Sequence, residues 1–269
     1  MMNTMAKAEN RTYNECRVIS LANQKGGVSK SCTTANLAVG LVRENKRVLV
    51  IDNDPQGHAS KCLGIVKPEK TIADILGTIL QDGELNPGDG IVTTEEGVDI
   101  LPATVKYADM ELDIYNAMSR EHLLKQYIAM EKPFYDFILI DCPPNLGMFV
   151  INALTASDSV IIPVKTEDLA IDGLQQLIKT IGMVRRRLND RLEIEGILFT
   201  IVDVNTNLAK DAISTVRNAY EEKVYIFDTV IPKCVRAAEC PASGVSLFTY
   251  DPNGKATLAY GRLVREVLG

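Results

Sequence analysis

Histidine is almost missing from this chain. His58 and His122 are the only two among 269 residues, which excludes a histidine-rich metal centre. Paired cysteine is missing as well. Cys16, Cys32, Cys62, Cys142, Cys234 and Cys240 include no C-x-x-C pair, and thiols scattered in this way read as reduced cysteines of the cytosol. No apolar run approaches the ~20 residues needed to cross a bilayer, and residues 1–16 are polar, without the apolar middle of a signal peptide. The expectation is a soluble, cytoplasmic protein. An excess of positive charge is also absent. Charged residues make up 24% of the chain and the formal net charge is −6, which excludes a globally basic nucleic-acid binder and leaves only a local basic patch.

Apolar residues, by contrast, reach 46%, ample for one large core. Short β-branched runs alternate with longer helical patterns, which predicts an α/β fold with a mostly parallel central sheet flanked by helices on both faces. Strands are expected at 17–23, 46–52, 98–101, 135–141, 158–164, 194–202 and 224–230, with helices over 169–188 and 206–222. Residues 1–16 read as a disordered extension and 17–269 as a single domain. The glycine- and proline-rich stretch from Asp82 to Gly97 reads as an exposed excursion from that domain.

Glycine is lacking at two telling places. Between the apolar run Val18, Ile19, Leu21, Ala22 and the helical pattern Ala35, Leu37, Ala38, Leu41, Val42 lies N-Q-K-G-G-V-S-K-S, where a phosphate-binding loop belongs. Gln24 and Ser29 occupy both glycine positions of the general pattern G-x-x-x-x-G-K-[ST]. What survives is K-G-G-x-x-K-S, the deviant Walker A form, with a second lysine, Lys25, ahead of the glycines. Gly26 and Gly27 let the backbone wrap an anion. Lys30 supplies a cation for phosphate and Ser31 a hydroxyl suited to magnesium.

In open α/β sheets ligands sit at the carboxyl ends of strands. Two apolar runs end there in aspartate: Val48 to Ile51 leads into Asp52-Asn53-Asp54, and Phe137 to Ile140 leads into Asp141. A strand-terminal aspartate serves either a metal or the cap of the next helix. Pleated alternation would turn Asp52 and Asp54 to one face, and paired carboxylates there call for a cation or a proton between them.

The motifs N-Q-K-G-G-V-S-K-S, V-L-V-I-D-N-D-P-Q-G-H-A-S, F-I-L-I-D-C-P-P-N-L-G, N-A-L-T-A-S-D-S-V-I-I-P-V, V-R-R-R-L-N-D-R-L-E-I-E-G-I-L-F-T and V-I-P-K-C-V-R-A-A-E-C-P, in that order, closely resemble the ParA/Soj-like partition ATPases. These form part of the deviant Walker A (ParA/MinD) group of P-loop NTPases. The resemblance spans nearly the whole chain and implies ATP and Mg2+ as cofactors. By it, Lys30 holds the nucleotide phosphates, the amides of Gly26, Gly27, Val28 and Ser29 line the cradle, and Ser31 ligates magnesium. Asp52 and Asp141 organise that ion through its water shell, and Asp54 orients the attacking water. Lys25 reaches the ATP of a partner subunit. Pro144 to Gly147 senses loss of the γ-phosphate, and Pro232 packs the adenine.

The same resemblance implies slow hydrolysis, an ATP-dependent homodimer, non-specific DNA as ligand, and a centromere-binding ParB-like partner. No membrane association is expected; the ATP-bound form would sit on the nucleoid. Arg236 would face the DNA backbone, with Lys210, Arg217 and Lys233 as further basic candidates. Arg185, Arg186, Arg187 and Arg191 are either part of that patch or a solvated charge run at a helix C-terminus.

Three positions depart from the family. Ser29 replaces a glycine; if its φ is positive, strain on the order of 1 kcal/mol should weaken nucleotide binding several-fold. Cys32, the next cradle position after Ser31, replaces a threonine, and Asn205 replaces a DNA-contacting arginine. Two other classes share the loop. A MinD-like membrane-positioning ATPase would use a terminal amphipathic helix, and Leu263, Val264, Val267 and Leu268 do line one side near the end; a short helix of this kind more often packs on the sheet. A nitrogenase-iron-protein type of redox function would need facing cysteines from two chains, whose family spacing is not evident here.

Overall fold

A computed structural model of the chain describes residues 16–167 and 171–269. The strands are β1 (Arg17–Leu21), β2 (Val48–Asp52), β3 (Val92–Thr93), β4 (Asp99–Leu101), β5 (Phe137–Asp141), β6 (Ser159–Lys165), β7 (Glu193–Val202) and β8 (Ile226–Pro232). They form one sheet in the order β3-β4-β2-β5-β1-β6-β7-β8. Every neighbouring pair is parallel except β3 with β4. Helices α1 (Lys30–Arg43), α2 (His58–Cys62), α3 (Ile72–Leu80), α4 (Lys106–Asp109), α5 (Glu111–Asn116) and α6 (Leu123–Glu131) fall in the first half. In the second half come α7 (Met148–Ala156), α8 (Ile171–Arg187), α9 (Asn207–Tyr220), α10 (Val235–Ser243), α11 (Leu247–Tyr250) and α12 (Lys255–Leu268).

The central strands are apolar at nearly every position because both of their faces are covered. Along β2, Leu49 and Ile51 join one core cluster and Val50 the other; along β5, Ile138 and Ile140 oppose Leu139 in the same way. This alternation is the period of the pleat, and it places a helical layer on each side of the sheet, as expected. All seven expected strands are present with shifted ends. β3 was not foreseen. It is two residues long, antiparallel, and lies within the Asp82–Gly97 stretch, so it adds an edge to the sheet that is too short to leave a period-two pattern. Helices α8 and α9 lie where helical spacing placed them. The expected start of the first at residues 169 and 170 lies outside the described residues, as does the proposed extension before residue 16.

The C-terminal helix α12 turns Ala259, Tyr260, Leu263, Val264 and Val267 into the core, where a Cβ added at Gly40 of α1 would strike Val264 and Phe248. Its apolar face is therefore spent on the sheet, the packing expected of a short helix of this kind, and is not available to lipid. Among the described residues, no helix is long and apolar enough to cross a membrane.

The topology levels the carboxyl ends of three strands. Asp141 at the end of β5 is in register with Leu21 of β1 on one side and with Asp52 of β2 on the other. After β2 the chain turns into the short helix α2 through Gly57, whose φ is 62°. A Cβ there would lie 2.8 Å from the backbone carbonyl oxygen of Ala103, which has no side-chain freedom to withdraw. Gly57→Ala should therefore lower the unfolding free energy by about 1–3 kcal/mol. Urea denaturation checks this, and an unchanged midpoint would contradict it.

Candidate functional site

The loop after β1 is pinned at its root. Asn23 is buried, donates from Nδ2 to the carbonyl of Pro163 in β6 at 2.6 Å, and accepts the amide of Lys25 on Oδ1 at 3.0 Å. A second pin comes from β7, where the Thr200 hydroxyl donates to the carbonyl of Val28 at 3.0 Å. Between these anchors Gly26 and Gly27 are exposed, and Gly27 has φ 71°. A Cβ on Gly27 would meet nothing within 4 Å, so the loop presents bare backbone outward. The loop ends at the N-terminus of α1, whose first-turn amides give it a positive end suited to an anion.

Ser29 is the residue before that helix and has φ 65°, the left-handed region. The condition attached to the missing glycine is met. Its hydroxyl hydrogen-bonds toward Cys32 and Tyr260, contacts that offset part of the cost. Cys32 also accepts a hydrogen bond from Asn36 Nδ2 at 3.4 Å, and burial raises its thiol pKa. The side chain that replaces a threonine is thus engaged by α1 and α12.

Lys30 is buried, 7% exposed, and its Nζ donates to the carbonyl of Lys25 at 3.2 Å. Burial lowers its pKa, and Asp141, Cys142 and Asp54 oppose that shift. Asp52 and Asp141 are fully buried and Asp54 nearly so. Asp52 accepts the Ser60 amide at 2.7 Å, the Ser60 hydroxyl at 2.6 Å and the Asp54 amide at 3.3 Å. Burial raises its pKa to about 6, against those hydrogen bonds. In Asp141, burial and then the charge of Asp52 raise the pKa, while hydrogen bonding to Ser31 and the charge of Lys30 lower it. Thr34 donates to Asp141 Oδ1 at 3.2 Å, and Oδ2 is buried with no hydrogen-bond partner.

The pleat does not place Asp54 beside Asp52, as alternation had suggested. The strand ends at Asp52, Asn53 is held by Phe149 and Tyr107, and Asp54 lies in the following turn with its amide on Asp52. That turn still brings it close enough for its charge to bear on Lys30 and Asp141. The capping alternative holds in part for Asp52, which takes an amide of α2, and not for Asp141, since α7 starts at Met148 behind Gly147. Pro144 lies against the loop, 3.9 Å from where a Cβ of Gly26 would be. An orphaned buried carboxylate oxygen, a hydroxyl on the same carboxylate and a second buried carboxylate in register fit a hard divalent cation with oxygen ligands.

Pro232 ends β8 opposite Val202, at the same edge of the sheet. Beside it Ile201 has φ 53°, a strained geometry for a β-branched residue, where the pairing of β7 with β8 shifts register. The basic candidates do not share one patch. Arg236 is 61% exposed on the first turn of α10, 3.7 Å from Asp251, and Lys210 is exposed on the first turns of α9. Arg217 lies further along α9, 3.2 Å from Glu221 and 4.0 Å from Asp228 near the start of β8, towards the opposite edge. Arg185, Arg186 and Arg187 close α8, which leads into the start of β7, also away from the loop. Sequence reasoning missed Thr200 and Ser60, because a single hydroxyl at a strand or helix end carries no pattern. It also missed Lys165 and Glu167.

Comparisons with known proteins give a consistent result. The family model of the AAA domain matches residues 16–194. Over 254 residues the chain is 44% identical to the sporulation initiation inhibitor protein Soj of Bacillus subtilis, covering 93% of this chain and 98% of that protein. It is 40% identical over 261 residues to the chromosome partitioning protein ParA of Caulobacter vibrioides, covering 95% of each. Among solved structures it is similar to cobyrinic acid a,c-diamide synthase from Mycobacterium smegmatis with bound ADP and magnesium. The two share 32% identity over 94% of each chain, with a TM-score of 0.81.

Because the left-handed turn at Ser29 belongs to the fold of the loop, its cost falls on folding rather than on binding. Ser29→Gly should raise the unfolding free energy by up to about 1 kcal/mol and leave nucleotide affinity within about twofold. Thermal melts and nucleotide titration check both; a several-fold gain in affinity would restore the earlier expectation.

Proposed function

The chain belongs to the Soj/ParA family of partition ATPases, and we propose that it is an ATP-dependent, dimerising ATPase acting in DNA segregation. Slow magnesium-dependent hydrolysis would be coupled to non-specific binding and release of DNA. The observation that carries this reading is the buried Lys30 beside Asp141, whose Oδ2 is unpartnered, at the foot of a glycine loop open to solvent. Such a site gains by taking up a phosphate-bound divalent cation, which relieves the crowding of carboxylates.

In this reading, backbone amides from Gly26 to Ser31 and the end of α1 bind the phosphates, with Lys30 neutralising them from within the same subunit. The Ser31 hydroxyl would ligate Mg2+, and Asp52, fixed by Ser60, and Asp141, bonded to Ser31, would organise its water shell. Magnesium, when bound, would spread the charge that develops on the transferring phosphoryl group. Asp54 orients a water in line with the γ-phosphate, and Gln56 fixes its carboxylate through an amide hydrogen bond of 2.9 Å. Water adds to phosphorus as the bond to ADP breaks. Lys25, near the exposed rim, reaches the ATP of a second copy, so two chains close over two nucleotides. Pro144 to Gly147, touching the loop at Gly26, reports phosphate loss. A ParB-like partner would stimulate hydrolysis, and Pro232 would pack the adenine. The ATP form would collect on the nucleoid in the cytoplasm, with Arg236 and Lys210 on the DNA backbone and Arg217 outside that surface.

The test is dimerisation by light scattering and DNA retention with ATP, ADP or no nucleotide. Wild type should dimerise and retain DNA with ATP alone. Lys25→Ala should remain monomeric, Asp54→Ala should stay as a DNA-bound dimer, and Arg236→Glu should dimerise yet lose DNA. Equal dimerisation of Lys25→Ala would overturn the cross-subunit role.

A further inference from the structure

At the carboxyl edge of the sheet, β6 and β8 end on either side of β7, and each carries a lysine: Lys165 closes β6 and Lys233 follows Pro232. One carboxylate spans both. Glu167 Oε2 is 2.8 Å from Lys165 Nζ, and Glu167 Oε1 is 2.7 Å from Lys233 Nζ. The bridge is exposed, with side-chain accessibility of 34% for Glu167, 57% for Lys233 and 22% for Lys165. The two ammonium groups hold the Glu167 carboxyl well below its usual range, at about 2. The sheet does not need this bridge, because backbone pairing of Lys165 with Thr200 and of Val202 with Pro232 already joins the three strands here.

The position gives the bridge meaning. Pro163, two residues before Lys165, receives Asn23 at the root of the phosphate loop, and Thr200 beside Lys165 supports Val28. Lys233 is bonded by its amide to the carbonyl of Val202 and lies three residues before Arg236, which faces Asp251. A carboxylate lying across two ammonium groups from different strands offers them two anionic oxygens, as a backbone phosphate does. Isolated lysine point charges suit sequence-independent contact with a phosphate backbone.

We propose that Lys165 and Lys233 form a contact surface for the phosphate backbone of duplex DNA, and that Glu167 occupies this surface as an internal competitor which DNA must displace. This rests on the DNA-binding reading above, in which Lys233 is already a basic candidate, and adds to it Lys165 as a second contact and Glu167 as a built-in brake. The brake fits a chain whose net charge is −6, and Arg236, 3.7 Å from Asp251, faces a carboxylate in the same way.

The test is DNA affinity against salt for the ATP-loaded full chain, using wild type, Glu167→Gln, Lys165→Gln/Lys233→Gln, and the triple variant. Glu167→Gln should bind duplex DNA roughly two- to tenfold more tightly, the range that two exposed ion pairs supply. Its salt slope should steepen by about one charge. The double variant should bind more weakly than wild type, and the triple variant should lose the gain while still dimerising with ATP. Wild type that retains DNA, with Glu167→Gln unchanged or weaker, overturns this inference alone; wild type that retains none overturns the underlying reading. A gain by Glu167→Gln toward polyglutamate but not toward DNA also overturns it, and assigns the surface to an acidic protein segment.

Discussion

A shortage of positive charge governs this molecule. At the ends of β2 and β5, Asp52 and Asp141 are fully buried side by side in register, Asp54 acts on the same space, and Lys30 is the buried cation set among them. Taking carboxylates out of water is costly unless hydrogen bonds and counter-charge replace the solvent. The chain satisfies Asp52 fully through Ser60 and Asp54, and Asp141 only in part through Ser31 and Thr34. The remaining oxygen of Asp141 faces a demand that a protonated carboxyl or a divalent cation can meet.

The rest of the fold fixes that geometry rigidly. Two buried hydrophobic layers, alternating residue by residue along β2 and β5, leave these strands no freedom to slip, since a one-residue shift would exchange the layers. Asn23 and Thr200 hold the loop from β6 and β7, so the anion cradle is tied to the same sheet as the carboxylates. Tyr107 bonds Asn53 at 2.8 Å and lies with its ring 4.2 Å from that of Phe149, which couples the turn bearing Asp54 to α4 and α7. The turn bearing Asp54 is thus held from two helices, and the second of them, α7, starts at Met148 directly behind Gly147 of the Pro144 to Gly147 segment.

Much of this was legible beforehand. Strand runs ending in Asp52 and Asp141, and a glycine pair between strand and helix, are local patterns with a period or a fixed spacing, and the structure realises them. The turn that carries Asp54 was not legible, because it depends on Asn53 finding Phe149 and Tyr107 far along the chain. Nor was the scatter of the basic residues. Arg217 and Arg236 are close in sequence, yet β8 runs between them and carries them towards opposite edges of the sheet. Glu167 was silent for the same reason: its partner Lys233 is 66 residues away, and only the parallel crossover brings them together.

A phosphate-bound divalent cation would resolve the buried charge at Asp141. Calorimetric titration of ATP into the full chain, with and without millimolar Mg2+, for wild type and Asp141→Asn, tests it most directly. Wild type should show saturable one-to-one uptake that is strongly enhanced by Mg2+, and Asp141→Asn should lose that enhancement. Absence of ATP uptake at millimolar Mg2+, or equal Mg2+ enhancement in both proteins, would contradict it.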